Sequence, residues 1–331
     1  MIDGTVLVTG GAGYIGSHAV LALLDAGHQV VVIDNLVTGF AWAVDPRARL
    51  IEMDVADPRV ADVLREHRVR AILHFAGSVV VPESVSDPLK YYRNNTAAAC
   101  ALIESAVAAG VPHFIFSSTA ATYGTPARVP IAEADPTVPI NPYGMSKLMT
   151  EAMLRDVAAA HPLNYCALRY FNVAGADPAG RSGQSTVGAT HLIKIAVEAA
   201  IGKRAHVGVY GTDFDTPDGT GVRDYIHVSD LAAAHVAALD LLVERPDESH
   251  TLNCGYGRGF SVLEVLDAVD RVTNRAIERR MEPRRAGDPA ALVADNRAIL
   301  AAVAWQPARD DLDGIVRDAL AWERKLADLG R

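Results

Sequence analysis

The chain has 331 residues, half of them hydrophobic and 21% charged, which is the balance of a globular protein with a large buried core. Its formal net charge of -9 argues against nucleic acid and anionic membranes as partners, because both repel an acidic surface. Three cysteines, Cys100, Cys166 and Cys254, are odd in number, widely spaced and without a C-x-x-C, so neither a disulfide framework nor a metal site is expected. No apolar run approaches the roughly 18 residues that span a bilayer. The first residues lack a basic stretch leading into an apolar one and run directly into a strand-like segment, so a cytoplasmic location is the expectation.

Residues 5–9 are apolar, β-branched and end in glycines, which predicts a strand. Residues 14–26 carry helical spacing, with Gly27 as the stop. Further strands are expected at 29–33, 49–53, 71–75, 113–117 and 165–169. Long helices are expected at 91–109, ended by Gly110 and Pro112, and at 143–160. Apolar strands alternating with helices predict an α/β fold, a doubly wound (Rossmann) parallel sheet covered on both faces.

Beyond residue 171 the alternation breaks down. Polar loops at 177–184 and 212–221 separate helices near 189–201, 229–243 and 262–272. A charged loop follows at 284–289, and a last helix at 312–329. The expected division is a sheet lobe over 1–170, also receiving the helix at 229–245, and a smaller C-terminal α/β lobe over 171–331.

Gly10, Gly13 and Gly16 lie between the first strand and the first helix. That position suits a tight turn whose backbone approaches a pyrophosphate at a helix N-terminus. Asp34 follows the second strand, where a carboxylate grips ribose hydroxyls and repels a 2′-phosphate, so NAD is favoured over NADP. Asp54 and the segment Phe75-Ala76-Gly77 follow the next two strands, where the adenine and the middle of the cofactor would lie.

Tyr143 and Lys147 stand four residues apart on one helix face. Tyrosine has a pKa of about 10 and needs its anion stabilised to serve as a base at neutral pH. A lysine and a positive nicotinamide ring both do this. Thr119 can add a hydroxyl hydrogen bond to the same substrate oxygen.

These features carry a resemblance. Residues 9–16 (TGGAGYIG), Asp34-Asn35-Leu36, His74-Phe75-Ala76-Gly77, Tyr91-Tyr92-Arg93-Asn94-Asn95, Phe116-Ser117-Ser118-Thr119-Ala120, Asn141-Pro142-Tyr143-Gly144, Arg169-Tyr170-Phe171-Asn172 and residues 219–228 (GTGVRDYIHV) resemble the extended short-chain dehydrogenase/reductases. Within that group they resemble the UDP-glucose 4-epimerases over nearly the whole chain.

The resemblance implies that Tyr143 is the acid/base, Lys147 its electrostatic partner and Thr119 the hydroxyl position. It implies NAD contacts from Gly10, Gly13, Tyr14, Ile15, Gly16, Asp34, Asn35, Asp54, Val55, Phe75, Ala76, Gly77, Asn95, Tyr143, Lys147 and Tyr170. It implies a UDP-sugar against Thr119, Tyr143, Phe171, Asn172, His191, Leu192, Arg223, Tyr225, Arg285, Asp288 and Leu292, with the two arginines near the pyrophosphate. The implied reaction removes hydride from sugar C4 to NAD, turns the 4-keto sugar over and returns hydride to its other face. Helices 91–109 and 143–160 would pair two copies into a homodimer.

Two positions depart from the pattern. Val79 stands where these epimerases often carry a lysine near the cofactor phosphates. Leu292 stands where a bulky tyrosine often faces the sugar's 2-substituent, leaving room for an N-acetyl group. A 4,6-dehydratase would need an Asp-Glu pair after Thr119, where this chain has Ala120-Ala121. A UDP-glucuronate 4-epimerase or decarboxylase, a dehydrogenase that exchanges NAD and a non-catalytic NAD-binding sensor are the alternatives, although a sensor has no need of Tyr143 and Lys147.

Overall fold

The computed structural model describes residues 2–330 except 286 and 287, so part of the charged loop expected at 284–289 lies outside the described residues. The first strands are β1 (Thr5–Thr9), β2 (Gln29–Asp34), β3 (Arg49–Glu52), β4 (Val69–His74), β5 (His113–Thr119) and β6 (Asn164–Tyr170). Later come β7 (Asn172–Ala174), β8 (Val207–Tyr210), β9 (Val222–His227), β10 (His250–Cys254), β11 (Gly259–Ser261), β12 (Arg279–Glu282) and β13 (Ala291–Leu292). The helices are α1 (Tyr14–Asp25), α2 (Val60–Glu66), α3 (Val81–Ser86), α4 (Pro88–Tyr91), α5 (Ala98–Ala109) and α6 (Pro142–Ala160), then α7 (Leu192–Ala200), α8 (Val228–Glu244), α9 (Val262–Thr273), α10 (Arg297–Ala302) and α11 (Leu312–Asp328).

A seven-stranded parallel sheet runs in the order β10-β6-β5-β4-β1-β2-β3. Successive side chains leave a strand on opposite faces, and both faces here are apolar. Val6, Val8, Val32 and Leu73 pack on one side with Leu23 of α1 and Leu231 of α8. Leu7, Ile33, Ile72 and Phe116 pack on the other with Leu64, Leu102 and Leu154 of α2, α5 and α6. The strand order reverses between β1 and β4, and in a doubly wound sheet a ligand crevice opens there.

Helix α8 packs on α1, β5 and β6. Strand β10 was not expected. Its sequence His250-Thr251-Leu252-Asn253-Cys254 offers too few apolar positions, yet it pairs in parallel with β6 and completes the sheet. Helices α2, α3 and α4 are also additions to the sequence reading.

The single helix expected over 91–109 is a composite. It starts as α4, widens into a π-helical stretch over Tyr92–Ala97 and continues as α5. Such a widened turn re-aims the side chains it carries, and Asn95 is buried inside this one. The smaller lobe holds a sheet with β9 flanked by β7, β11 and β13, a β8–β12 pair, and a core shared by α7, α9 and α11. No helix among the described residues is long and apolar enough to cross a membrane.

Candidate active site

A cleft of about 1540 Å³ opens at the C-terminal ends of the parallel strands and reaches the smaller lobe. Every residue that the sequence assigned to cofactor or substrate lines it except Asn95. Asn95 lies behind the wall. Its amide donates to Ser146 Oγ (3.0 Å) and to the Ser78 carbonyl (3.0 Å), and its Oδ1 accepts from the Ser78 N–H (2.7 Å). It therefore fixes the loop after Gly77 to the helix that carries Tyr143.

The glycine turn is a close fit. Gly10 has φ +70°, and a Cβ there would sit 2.6 Å from the Ala76 nitrogen. A Cβ on Gly16 would sit 2.1 Å from the Gly10 carbonyl oxygen. Helix α1 then begins at the cleft with no side-chain cap, so its first N–H groups face the site. Asp34 is buried and braces this turn, accepting from Ala12 N–H (3.0 Å) and Leu36 N–H (2.8 Å). Asp54 is exposed and holds Asn35 Nδ2 at 3.2 Å. Val79 is 53% exposed on the rim. The turn, the free helix N-terminus and the paired acids suit a dinucleotide pyrophosphate and its ribose.

Tyr143 and Lys147 are buried in the first two turns of α6. The helix is started by Asn141, whose Oδ1 accepts from Gly144 N–H (2.8 Å). Thr119 ends β5, accepts from Ala121 N–H (3.1 Å) and hydrogen-bonds the Tyr143 phenol. Lys147 Nζ donates to the Ser117 carbonyl (2.9 Å) and lies 4.9 Å from the centre of the Phe116 ring. Burial lowers the Lys147 ammonium to about 8, so it is still mostly charged at neutral pH. Burial also holds the Tyr143 phenol above its ordinary value, opposed by the Thr119 hydrogen bond. Burial outweighs the lowering that the sequence led one to expect.

The remaining cleft residues come from the smaller lobe and the edge of the sheet. Tyr170 closes the floor through a 2.5 Å bond between its hydroxyl and Ser117 Oγ. Phe171 and Leu292 pack together on one wall. His191 sits at the N-cap position of α7 without a side-chain capping bond, and its Nδ1 lies 3.3 Å from Gln184 Nε2, beside Leu192. The two arginines assigned to the pyrophosphate both have contacts within the chain. Arg223 is joined to Asp288 and donates to the Val222 carbonyl (2.8 Å), so its charge is partly used within the chain. Arg285 is exposed, with its guanidinium 3.8 Å above the Tyr210 ring. Tyr210 and Gln184 were missed in the sequence, since each acts by placing a neighbour and neither carries a motif of its own; Ser117 lies in a quoted motif, but its bonds to Tyr170 and Lys147 could not be read there. Among the described residues no cluster of His, Cys, Asp and Glu could hold a metal ion.

The profile of the NAD dependent epimerase/dehydratase family matches residues 6–255. A UDP-glucose 4-epimerase of Azospirillum brasilense is 57% identical over 97% of this chain and 92% of its own. The crystal structure of a UDP-glucose 4-epimerase from Stenotrophomonas maltophila, with bound NAD and formylated UDP-arabinopyranose, superposes with a TM-score of 0.95 at 40% identity, covering 99% of this chain and all of that one. The UDP-Glc/GlcNAc 4-epimerase of Campylobacter jejuni is 46% identical with a TM-score of 0.85, covering 98% of this chain and 100% of that one. The chain belongs to the NAD dependent epimerase/dehydratase family.

Proposed function

We propose that this protein is an isomerase that interconverts UDP-glucose and UDP-galactose by inverting C4 of the sugar with NAD held in the cleft. The observation that carries this reading is the buried Thr119-Tyr143-Lys147 group on the cleft wall between the glycine turn and Arg223. The names of the similar proteins support the substrate and cofactor.

Gly10, Gly13, Gly16 and the start of α1 would hold the pyrophosphate, and Asp34, with Asn35, Asp54 and Val55, would hold the adenosine end. When bound, NAD would supply a reversible hydride acceptor for sugar C4 and a positive charge that favours the Tyr143 phenolate. Tyr143 exchanges a proton with the C4 oxygen at its phenol oxygen, Thr119 orients that oxygen, and the Lys147 charge favours the phenolate. Arg223 and Arg285 hold the UDP phosphates. Arg223 keeps Asp288 as neighbour, and Asp288 then faces the nucleoside. Phe171, Asn172, Tyr225, His191 and Leu192 enclose the rest of the nucleotide sugar.

The Leu292 side chain admits an N-acetyl group at C2, so UDP-GlcNAc and UDP-GalNAc are also substrates. The similar enzyme of Campylobacter jejuni, named for both sugars, supports this. The sheet lobe carries the cofactor, and the segment after 171 carries the nucleotide sugar, apart from α8. Two copies pair through the helices of 91–109 and 143–160, where Met149 on α6 is an exposed apolar residue.

NMR of the purified protein with UDP-glucose and, separately, UDP-GlcNAc tests the reading. The C4 epimer forms from both. No epimer from either, with NAD supplied, would overturn it, and turnover of UDP-glucuronate alone would replace it with an epimerase or decarboxylase of the acid sugar.

A further inference from the structure

Outside the residues that line the cleft lies a buried polar chain that runs from the acid/base helix to the Leu292 wall. Glu151, one turn beyond Lys147 on α6, accepts from Ser118 Oγ at 2.5 Å, and Ser118 precedes Thr119. Arg169 on β6 grips the same carboxylate with two arms, Nε at 3.0 Å and Nη2 at 2.6 Å. Its third arm, Nη1, donates to the Tyr123 hydroxyl at 2.9 Å. Tyr123 donates to Asn253 Oδ1 (2.7 Å), and Asn253 Nδ2 donates to the Ile131 carbonyl (2.8 Å). The Ile131 N–H donates to the Val293 carbonyl (2.9 Å), next to Leu292, and Asp295 N–H returns to Ile131 (2.8 Å). The Tyr123 ring packs in one cluster with Phe171 and Leu292.

Glu151 and Arg169 are each 6% exposed, Tyr123 is 2% and Asn253 is fully buried. A buried ion pair of this kind is weak evidence for a stability role, since apolar residues of similar volume often replace it without loss. A fully satisfied buried network does hold one geometry. Catalysis by proton transfer depends on that geometry to within a fraction of an ångström.

We infer that Arg169, Glu151 and Tyr123 are positioning residues that lock Tyr143, Lys147 and Thr119 in register with the Leu292 wall. The inference rests on the epimerase reading for its kinetic consequence, but not for its structural one. Tyr123 is the side-chain joint between the two halves: its hydroxyl bonds both Arg169 and Asn253, whose backbones are neighbours on β6 and β10.

The test uses Tyr123→Phe, which keeps the ring and deletes the joint, and a paired variant, Glu151→Leu with Arg169→Met, which removes the charges together. In Tyr123→Phe, hydrogen exchange without any sugar nucleotide speeds up at residues 118–124 and at both 129–133 and 291–295, while β1 is unchanged. The kcat for UDP-glucose falls by about tenfold to a hundredfold while the dissociation constant for UDP, measured by calorimetry, stays within about twofold. The folded paired variant shows the same loss of kcat. Wild-type kcat in Tyr123→Phe, or in the paired variant, overturns the inference. If the wild type turns over no sugar nucleotide, the epimerase reading fails instead, and exchange alone decides: unchanged rates at 129–133 and 291–295 overturn the positioning role. If the paired variant does not fold, Tyr123→Phe still decides.

Discussion

Lys147 places its ammonium 2.9 Å from the carbonyl oxygen of Ser117, two residues before Thr119 on the same strand. The bond ties the charge to the strand that carries the hydroxyl, so lysine, threonine and tyrosine move as one unit. It also orients a cation that burial has already brought down to about 8.

Lys147→Met removes that charge and keeps most of the bulk. The phenolate of Tyr143 loses its support, so its pKa rises and the acid limb of kcat against pH moves to higher pH. The kcat at neutral pH falls by about 10²- to 10³-fold. The pH–rate profile checks this, and an acid limb at its wild-type position would show that Lys147 does not tune Tyr143. The same substitution affects stability with a definite sign. Between about 8 and 10.5 the unfolded chain holds the Lys147 proton and the folded chain releases it, so this group's penalty is relieved as pH rises. That rise is absent in Lys147→Met.

Asp34→Asn separates the structural duty of Asp34 from its cofactor duty. One carboxylate oxygen becomes an NH2 group facing a backbone N–H, either that of Ala12 or that of Leu36. The variant is destabilised by about 1–3 kcal/mol without NAD, and NAD binds more weakly. Denaturant unfolding of NAD-free protein reads the first effect. Unchanged stability there would mean that the turn is not held by Asp34.

Leu292→Tyr fills the space beside the sugar's C2. Turnover of UDP-GlcNAc falls by about tenfold or more, whereas UDP-glucose is affected much less. Equal losses on both substrates, in parallel assays, would remove Leu292 from the specificity wall.

Three histidines are buried and held neutral: His18 is lowered to about 4, His74 to about 3 and His235 to about 4, in each case chiefly by burial. Their unfolded value is about 6.5. Below that pH the unfolded chain takes up protons that the folded chain refuses, so stability present above 6.5 is lost as pH falls toward 4. Each histidine contributes a slope of about 1.4 kcal/mol per pH unit. Asp224 opposes part of this. Burial raises it to about 6, so between 3.8 and 6 the folded chain holds its proton more tightly. The net expectation is acid destabilisation between pH 6.5 and 4, measured by urea unfolding across that range. His235 has Nε2 buried without a partner, so His235→Leu flattens the slope by one histidine's share. An unchanged slope would show that His235 does not titrate this way.

The glycine turn, the first helix and the spacing of Tyr143 and Lys147 were legible in the sequence because each is local. Apolar runs, glycines and helical periodicity act over a turn or two of chain, and the residues that carry them are near neighbours. The parallel α/β class followed from the same alternation. Other features could not be read this way. Strand β10 joins β6 across some eighty residues, although its own pattern is too polar to declare a buried strand. Asp34 reaches Ala12, Arg223 takes Asp288 before any phosphate, and Tyr123 links Arg169 to Asn253. These pairings depend on which faces meet when the sheet and lobes pack, and spacing along the chain carries no record of that. Local pattern specifies the strongly periodic elements and the chemical groups; tertiary packing adds β10 and decides which charges are already spent, which are buried, and what holds the reactive ones still.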